Sequence, residues 1–233
     1  MFLWLVVNFM NVEDAARARY SCRAFLADKP VDRATVEDLL AIAATAPSGG
    51  NLQPWNVIAL SGEPLAGLVD DVKSQVAGQP RGEGSEYRIY PENLKEPYFD
   101  RRHKCGEDLY ATIGVGREDK PGRMKQFRRN IELFSAPVGL FVYLDRQMQP
   151  GQWSDAGMFI QTLMLAATAR GLATCAQEFW AMWHKSVARY TGPPDDWMLF
   201  CGIALGVPDP EAPINSLETD RASVAEIARF EGF

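Results

Sequence analysis

Histidine and cysteine are scarce in this chain. Its 233 residues include two histidines, His103 and His184, and four cysteines, Cys22, Cys105, Cys175 and Cys201. No two cysteines form the Cys-x-x-Cys pair that is common in zinc sites. The sequence therefore predicts no metal site. It also offers no Ser-His-Asp or Cys-His arrangement around either histidine, so no side chain is predicted to act as a catalytic nucleophile.

Basic residues are outnumbered as well, with 24 Lys and Arg against 30 Asp and Glu and a net charge of −6. A surface that binds nucleic acid or an anionic membrane carries an excess of positive charge. We therefore expect neither partner. A negative protein can still bind a phosphate group, because the local placement of a few arginines matters more than the total charge.

Long apolar runs are also missing. The amino terminus, residues 2–10, is apolar but too short to span a bilayer, and it lacks the basic region and small-residue cleavage site of an export signal. Residues 1–11 are either an apolar arm that packs on the body or on a partner subunit, or an extension upstream of a start at Met10. With few cysteines and no export signal, we expect a reduced cytoplasmic protein, although the even cysteine count leaves two disulfides as an alternative.

The hydrophobic pattern predicts one α+β domain. Strands are expected over residues 55–60, 138–144 and 199–205. Helices are expected over residues 12–18, 63–76, 98–113, 152–170, 179–190 and 224–230, with another that Asp32 caps and that runs to Ala46. Strands and helices do not alternate strictly, which argues against a doubly wound sheet. The one Gly-x-Gly sequence, at residues 114–116, lacks the rest of a dinucleotide-binding fingerprint.

Residues 78–130 have a different character. Aromatic and basic side chains are mixed there with many acidic ones, which is typical of a partly exposed insertion. We weigh two interpretations equally, a solvated helical excursion and a substrate lid. For the lid, the candidates to stack on or pair with a flat aromatic substrate are Tyr98, Arg101, Arg102 and Tyr110.

Two short motifs carry most of the functional information. The segment 19–23 places Arg19, Ser21 and Arg23 close together, and two guanidinium groups with a hydroxyl suit an anion such as a phosphate. The segment 47–55, Pro-Ser-Gly-Gly-Asn-Leu-Gln-Pro-Trp, is rich in small residues. There the bare backbone can approach a planar ligand, and Asn51 and Gln53 can hydrogen-bond to it.

These motifs, together with segments 171–178, 202–206, 209–215 and 219–221, resemble the FMN-dependent nitroreductase family over roughly residues 12–233. The resemblance implies an α+β sandwich with a central, mainly antiparallel sheet flanked by helices. It also implies an intertwined homodimer with FMN in two clefts between the subunits. Residues 12–233 would form the FMN-binding domain, with residues 78–130 as its lid insertion.

The resemblance also implies roles for individual residues. Arg19, Ser21 and Arg221 would hold the phosphate, and Arg23 would reach the N1/O2 edge of the flavin. Ala176, Gln177 and Glu178 would pass the N5 side of the ring, with the Glu178 N–H near N5. Pro47, Ser48, Gly49 and Asn51 would reach the flavin of the opposite subunit. Where some relatives place a lysine beside the flavin, this chain offers Asn130 as a substitute.

The activity implied by the resemblance is hydride transfer from NAD(P)H to FMN, followed by reduction of a nitroaromatic compound in a ping-pong cycle. Alternatives within the family are reduction of quinones or enones, reductive dehalogenation and oxidative flavin chemistry. An alternative of another class is a flavin-binding protein without catalysis. The least favoured is a structural domain without a ligand.

Overall fold

The computed structural model describes residues 10–233. The hypothesis of an apolar arm over residues 1–11 therefore falls mainly outside the described part. Within that part, the helices in chain order are α1 Val12–Ala18, α2 Arg33–Ala43, α3 Gly62–Gln75, α4 Tyr98–Ala111, α5 Lys120–Arg128, α6 Pro150–Thr168, α7 His184–Thr191 and α8 Val224–Ile227. Short 3₁₀ segments lie at Gly49–Asn51, Leu133–Ser135, Glu178–Trp183 and Pro213–Ser216.

Four strands form one antiparallel sheet. They are β1 Trp55–Ser61, β2 Val138–Asp145, β3 Ala173–Gln177 and β4 Trp197–Gly206, and their order across the sheet is β1-β2-β4-β3. The register pairs Val57 with Val142 and Cys175 with Ala204. The expected α+β fold with an antiparallel sheet is confirmed. Strand β3, which forms one edge of the sheet, was not among the predicted strands.

Each face of the sheet is covered by helices, because alternate residues of a strand point to opposite faces. On one face, Leu140 and Val142 of β2 pack in a core that α2 and α6 complete. On the other face, Phe141 and Tyr143 pack in a core with α3, the 3₁₀ segment Glu178–Trp183 and α7. The chain therefore has the layered arrangement expected of a sandwich, with the sheet in the middle.

Several element boundaries differ from the predicted ones. The helix predicted over residues 179–190 is a 3₁₀ segment, Glu178–Trp183, followed by α7. The helix that Asp32 caps ends at Ala43, before the predicted Ala46, and α8 ends at Ile227. Helix α5 was not predicted. All four cysteines lie in the described part and are free thiols, so the alternative of two disulfides is wrong.

The insertion 78–130 is fixed to the body where it begins. The Glu83 carboxylate accepts hydrogen bonds from the backbone N–H groups of Lys185 and Ser186, at 2.9 and 3.0 Å, and from the Ser186 hydroxyl at 2.7 Å. These N–H groups belong to the first turn of α7, and N–H groups in the first turn of a helix have no acceptor within that helix. Glu83 therefore caps α7 from outside, and a carboxylate suits this helix end.

A β-bulge provides a second anchor for the insertion. The register between β2 and β4 shifts between Val142 and Tyr143, which leaves Phe200 as the extra residue of β4. The Phe200 carbonyl accepts a hydrogen bond from the Tyr87 hydroxyl at 2.5 Å, and the Tyr87 ring packs edge-on against Trp153 of α6. The bulge thus leaves the partly buried Phe200 carbonyl free to bind Tyr87 of the insertion.

Between residues 10 and 233, no helix combines the length and the apolar character needed to cross a membrane.

Candidate functional site

One open cavity of about 1220 Å³ collects most of the predicted phosphate-binding residues. Arg19, Ser21 and Arg23 line it from the segment after α1, and Arg221 lines it from the carboxyl-terminal segment. Arg101 of α4 lines the same cavity. Residues from three distant parts of the sequence therefore converge on one space.

Backbone contacts hold the segment 19–23 in place. Helix α1 ends at Ala18, and Arg19 has extended backbone angles. Ser21 then forms an isolated parallel bridge with Thr174 of β3, and the Cys22 N–H donates to the Thr174 carbonyl at 3.0 Å. The segment thus adds a short length of pairing to the outer edge of β3.

Asn215 ties the carboxyl-terminal segment to the same place. Its side-chain oxygen accepts from the Arg23 N–H at 2.8 Å, and its side-chain amide donates to the Ala24 carbonyl at 2.9 Å. The side-chain amide of Asn215 thus joins the carboxyl-terminal segment to residues 23 and 24, as a pair of backbone hydrogen bonds would do. As a result, Arg221 is carried to the cavity that Arg19 lines.

The cavity is electropositive where the arginines meet. Burial lowers the pKa of the Arg19 guanidinium, and the positive charge of Arg221 lowers it further. Arg221 is oriented by hydrogen bonds from its own guanidinium to the Thr219 carbonyl at 3.0 Å and the Asp220 carbonyl at 2.8 Å. Two cations that repel each other favour an anion between them, and a dianion most of all.

Strand β3 leads from this cavity to the second predicted contact segment. The Thr174 carbonyl points to the outer edge of the sheet. The backbone groups of alternate residues in a strand point the same way, so those of Ala176 also face this edge. Ala176 is exposed. At about 3.3 Å per residue, Glu178 lies roughly 13 Å along the strand from Thr174. The edge of β3 therefore presents backbone donors and acceptors over the length of a small elongated ligand.

Gln177 is buried and oriented by Asn130. Its side-chain amide donates to the Asn130 carbonyl and to the Asn130 side-chain oxygen, at 3.0 Å each. The Gln177 side-chain oxygen and the Thr174 hydroxyl oxygen are buried without a hydrogen-bond partner among residues 10–233. A buried acceptor without a donor is uncommon in folded proteins.

Glu178 begins the 3₁₀ segment Glu178–Trp183 and is half-buried. Burial raises the pKa of its carboxyl group. Burial also raises the pKa of the Tyr87 phenol, and the nearby charge of Glu178 adds to that effect. Glu178 is therefore more than an exposed helix start, since it is half-buried and its charge acts on Tyr87 at the beginning of the insertion.

The loop 47–53 does not line the cavity in the same chain. The Gly49 N–H donates to the buried carboxylate of Asp155 on α6 at 3.1 Å, and the Gln53 N–H donates to the Ser48 hydroxyl at 3.0 Å. Asn51 has a positive φ of 57° and is exposed, as is Pro47. The Gly49 contact thus attaches this loop to α6, and none of residues 47–53 lines the cavity with Arg19 and Arg221.

The four candidate lid residues are in different surroundings. Arg101 lines the cavity and pairs with Glu226 at 3.3 Å. Tyr98 is 61% exposed on the first turn of α4. The Arg102 guanidinium lies 4.1 Å from the centre of the Tyr90 ring. The Arg123 guanidinium lies 4.4 Å from the centre of the Tyr110 ring. Only Arg101 among these four joins the cavity of the described chain.

Lys104 was missed by the sequence analysis as a cavity residue. It follows Arg101 by three residues on α4, lines the same cavity and pairs with Asp108 at 2.6 Å and Asp220 at 2.8 Å. Hydrogen bonds to these two carboxylates raise the pKa of its ammonium group. The spacing of Arg101 and Lys104 on one helix face was the available indication.

Known proteins share this arrangement of elements. A sequence model of the Nitroreductase family matches residues 16–207. The chain belongs to the nitroreductase family. It is 35% identical to a chloronitrobenzene nitroreductase of Comamonas testosteroni, and the 219 aligned residues cover 94% of this chain and 96% of that protein. It is 39% identical over 217 residues to a 4-nitrobenzoate reductase of Nocardioides sp. (strain LMS-CY), covering 92% and 87%.

Solved structures of this nitroreductase family agree with the fold. The FMN and NADPH-dependent nitroreductase NfnB from Sphigopyxis sp. strain HMH superposes with a TM-score of 0.93 at 43% identity, covering 96% of this chain and all of that one. The FMN-dependent nitroreductase NfnB from Mycobacterium smegmatis in complex with NADPH gives a TM-score of 0.87 at 27% identity, covering 95% and 100%. The nitroreductase fold is thereby established for nearly the whole chain.

Proposed function

We propose that this chain is an FMN-dependent oxidoreductase that takes a hydride from NAD(P)H and reduces nitroaromatic compounds in a ping-pong cycle. The observation that carries the proposal is the convergence of Arg19, Ser21, Arg23 and Arg221 on one cavity at the edge of β3. The names of the chloronitrobenzene, nitrobenzene and nitrobenzoate reductases similar to this chain support the choice of acceptor.

The residues present fit a flavin mononucleotide. Arg19, Ser21 and Arg221 supply two cations and a hydroxyl for a terminal phosphate dianion. The outer edge of β3 extends about 13 Å from Thr174, which Ser21 contacts, to Glu178, and this length gives room for the ribityl chain and the ring. The buried Gln177 oxygen lacks a donor among the described residues, and a flavin ring carries an N–H group on its edge.

FMN, when bound, supplies the redox chemistry: it accepts a hydride and passes two electrons to the acceptor. In the proposal, Arg23 would lie at the N1/O2 edge and favour negative charge there. Ala176, Gln177 and Glu178 would align the N5 side through backbone groups, and Asn130 holds the Gln177 amide in place. Reduction of a nitro to a nitroso group by NAD(P)H consumes one further proton and releases water.

The proposed assembly is a homodimer in which Pro47, Ser48, Gly49 and Asn51 of one subunit contact the flavin of the other. Support comes from the attachment of this loop to α6 and from its separation from the cavity of its own chain. Met158 on α6 is 39% exposed, and the apolar residues Val224 and Ile227 of α8 are 61% and 70% exposed. Such apolar surface suits a subunit interface.

The insertion serves as the lid in this proposal. Its beginning is anchored through Glu83 and Tyr87, and Arg101 of α4 reaches the cavity. Tyr98, Arg102 and Tyr110 remain candidates for acceptor binding once a partner subunit completes the cleft. A cytoplasmic location is part of the proposal, supported by four free thiols.

The proposal is tested in two steps. Denaturation of the purified yellow protein should release FMN, identified by chromatography, whereas FAD, or no flavin after reconstitution, would contradict it. The holoprotein is then reduced anaerobically by NADH or NADPH and reoxidised with nitroarenes, quinones, enones and haloaromatics. Fastest reoxidation by nitroarenes is expected. Preference for another acceptor class would assign the alternative flavin reaction, and a flavin that no nucleotide reduces would indicate a binding protein without catalysis.

A further inference from the structure

Helix α5 carries a concentration of positive charge that neither the sequence motifs nor the cavity explains. Residues 117–129 contain six Lys and Arg and only two acidic residues, in a chain whose net charge is −6. A local excess of this kind creates a positive field over a negative protein and attracts anionic ligands. The five cations of residues 120–129 divide into two groups with different surroundings.

The first group is used by the fold. Arg123 donates two hydrogen bonds to the Glu107 carboxylate, at 2.8 and 2.7 Å, and its guanidinium lies over Tyr110. Arg129 pairs with Glu132 at 3.3 Å. These contacts fix α5 against α4 and the chain that follows it, so the helix is a rigid support for the remaining side chains.

The second group points to solvent. Lys120, Lys125 and Arg128 are exposed, and none has an ion-pair or side-chain hydrogen-bond partner in the part of the chain that the structure describes. Lys120, Met124 and Arg128 are spaced by four residues and therefore lie on one helix face. Met124 and the adjacent Phe127 are 48% and 41% exposed. The face thus combines free cations with apolar contact surface.

One end of this face touches the segment proposed to hold the N5 side of the flavin. The Phe127 ring lies 5.7 Å from the Phe179 ring, edge to face, and Asn130 holds Gln177 at 3.0 Å. A ligand that lies along α5 with one end at Phe127 would therefore reach the ring of the flavin.

We propose that the exposed face of α5 binds the adenosine diphosphate part of the nicotinamide cosubstrate. This inference rests on the proposed function. Lys120 and Arg128 would pair with the pyrophosphate, and Met124 with Phe127 would pack against the adenine. The ligand class follows from the face itself, which offers several cations for a polyanion beside apolar surface for a flat base.

The test compares two hydride donors on the FMN-loaded protein. NADPH carries the adenosine diphosphate group, while 1-benzyl-1,4-dihydronicotinamide carries only the reacting ring. In Lys120→Gln/Arg128→Gln, the Kd for NADPH in anaerobic flavin reduction should rise about tenfold, since each exposed ion pair contributes roughly three- to fivefold. The rate at saturating NADPH and the rate with the benzyl donor should both stay unchanged.

Lys29→Gln/Arg33→Gln is the matched control, because it removes two exposed cations outside the insertion. Calorimetric binding of NADP⁺ to the oxidised holoprotein gives a readout independent of turnover, and the same weakening is expected there. Added salt should weaken binding to the wild type more than to the α5 variant.

Unchanged NADPH and NADP⁺ binding in the α5 variant, or equal weakening in the control, would overturn the inference. So would equal slowing with both donors, which would place the effect on the flavin. A change confined to reoxidation by an anionic nitrobenzoate would assign the face to the acceptor and also overturn it. Failure of the proposed function is distinguishable, because then neither donor reduces a flavin in the wild type.

Discussion

Ser21 and Thr174 face each other across an isolated bridge, with the Cys22 N–H donating to the Thr174 carbonyl at 3.0 Å. This contact joins the arginine-rich segment to the outer edge of β3. Because β3 ends at Gln177, the bridge fixes how far Arg19 lies from Glu178. The spacing between the two proposed ends of the flavin site is therefore a property of the sheet and its register.

The first prediction concerns Arg221 at the phosphate end. Arg221→Ala should weaken FMN binding about tenfold, since an exposed charge-assisted contact contributes at the lower end of its usual 1.5–3 kcal/mol range. Titration of the apoprotein with FMN, followed by flavin fluorescence, measures the change. Arg229→Ala is the control, because Arg229 is 87% exposed and, among residues 10–233, pairs only with nearby Glu231 at 2.6 Å. Equal affinity in both variants would remove Arg221 from the site.

The second prediction concerns the start of the insertion. A Cβ on Gly82 would lie 2.5 Å from the Met182 carbonyl oxygen, and the φ of this residue is +72°. Gly82→Ala should therefore lower the free energy of unfolding by about 2 kcal/mol or more. Gly84 also has a positive φ, +90°, but open space around it. Gly84→Ala should lower the free energy of unfolding by about 1 kcal/mol, from the strain of the backbone angle alone. Denaturant unfolding of both variants measures the difference, and equal losses would mean that Gly82 makes no close contact.

Parts of this fold follow from local sequence. Helix α2 was predictable because Asp32 is a good cap and Val36, Leu39 and Ala43 recur at helical spacing. The Asp32 carboxylate does accept from the Thr35 N–H at 2.7 Å, and the three apolar residues are buried. Strand β2 was predictable for a similar reason, since a continuous apolar run suits a strand that is buried on both faces.

Other parts depend on distant contacts. The sequence of β3, Ala-Thr-Cys-Ala-Gln, has little intrinsic strand preference, and pairing with β4 makes it a strand. Helix α5 contains a proline and a glycine and no apolar period, but Asp119 caps it and Arg123 pairs with Glu107. Such elements are specified by tertiary structure, which a window of sequence does not contain.

The candidate site divides in the same way. Arg19, Ser21, Arg23 and Arg221 were singled out by motif and by family resemblance, and the structure gathers them in one cavity. Lys104 was not singled out, because its sequence neighbourhood is an ordinary exposed helix. Its pairing with Asp220, far along the chain, is what brings it to the cavity.

The third prediction concerns the loop 47–53 and the dimer. Asn51→Gly removes a side chain proposed to serve the partner's flavin and keeps a residue that tolerates the positive φ of 57°. When this variant and Arg221→Ala are mixed as a heterodimer, one site should carry both defects and the other neither. The heterodimer should then retain about one tightly bound FMN per dimer, and each parent homodimer should retain less.

Selection of the heterodimer by two different affinity tags allows the flavin content to be measured directly. If the loop serves the flavin of its own chain, both sites of the heterodimer carry one defect and no tight site appears. A protein that sediments as a monomer while retaining FMN and full turnover would contradict the dimer itself.

The last prediction concerns the charge of Glu178. Burial raises the pKa of this carboxyl group above the value of about 4.3 that it has in the unfolded chain. The folded state therefore holds the proton more tightly, and the stability that this provides is complete below pH 4.3 and is lost as the pH rises through the folded-state pKa. Glu178→Gln has no charge to desolvate. Relative to the wild type, the variant should gain stability between about pH 4 and pH 7.

Thermal unfolding of both apoproteins across this range measures the gain. Glu63→Gln is the control, because Glu63 is an exposed residue of α3. A difference between Glu178→Gln and the wild type that does not change with pH would show that the Glu178 carboxyl is solvated like an ordinary surface group.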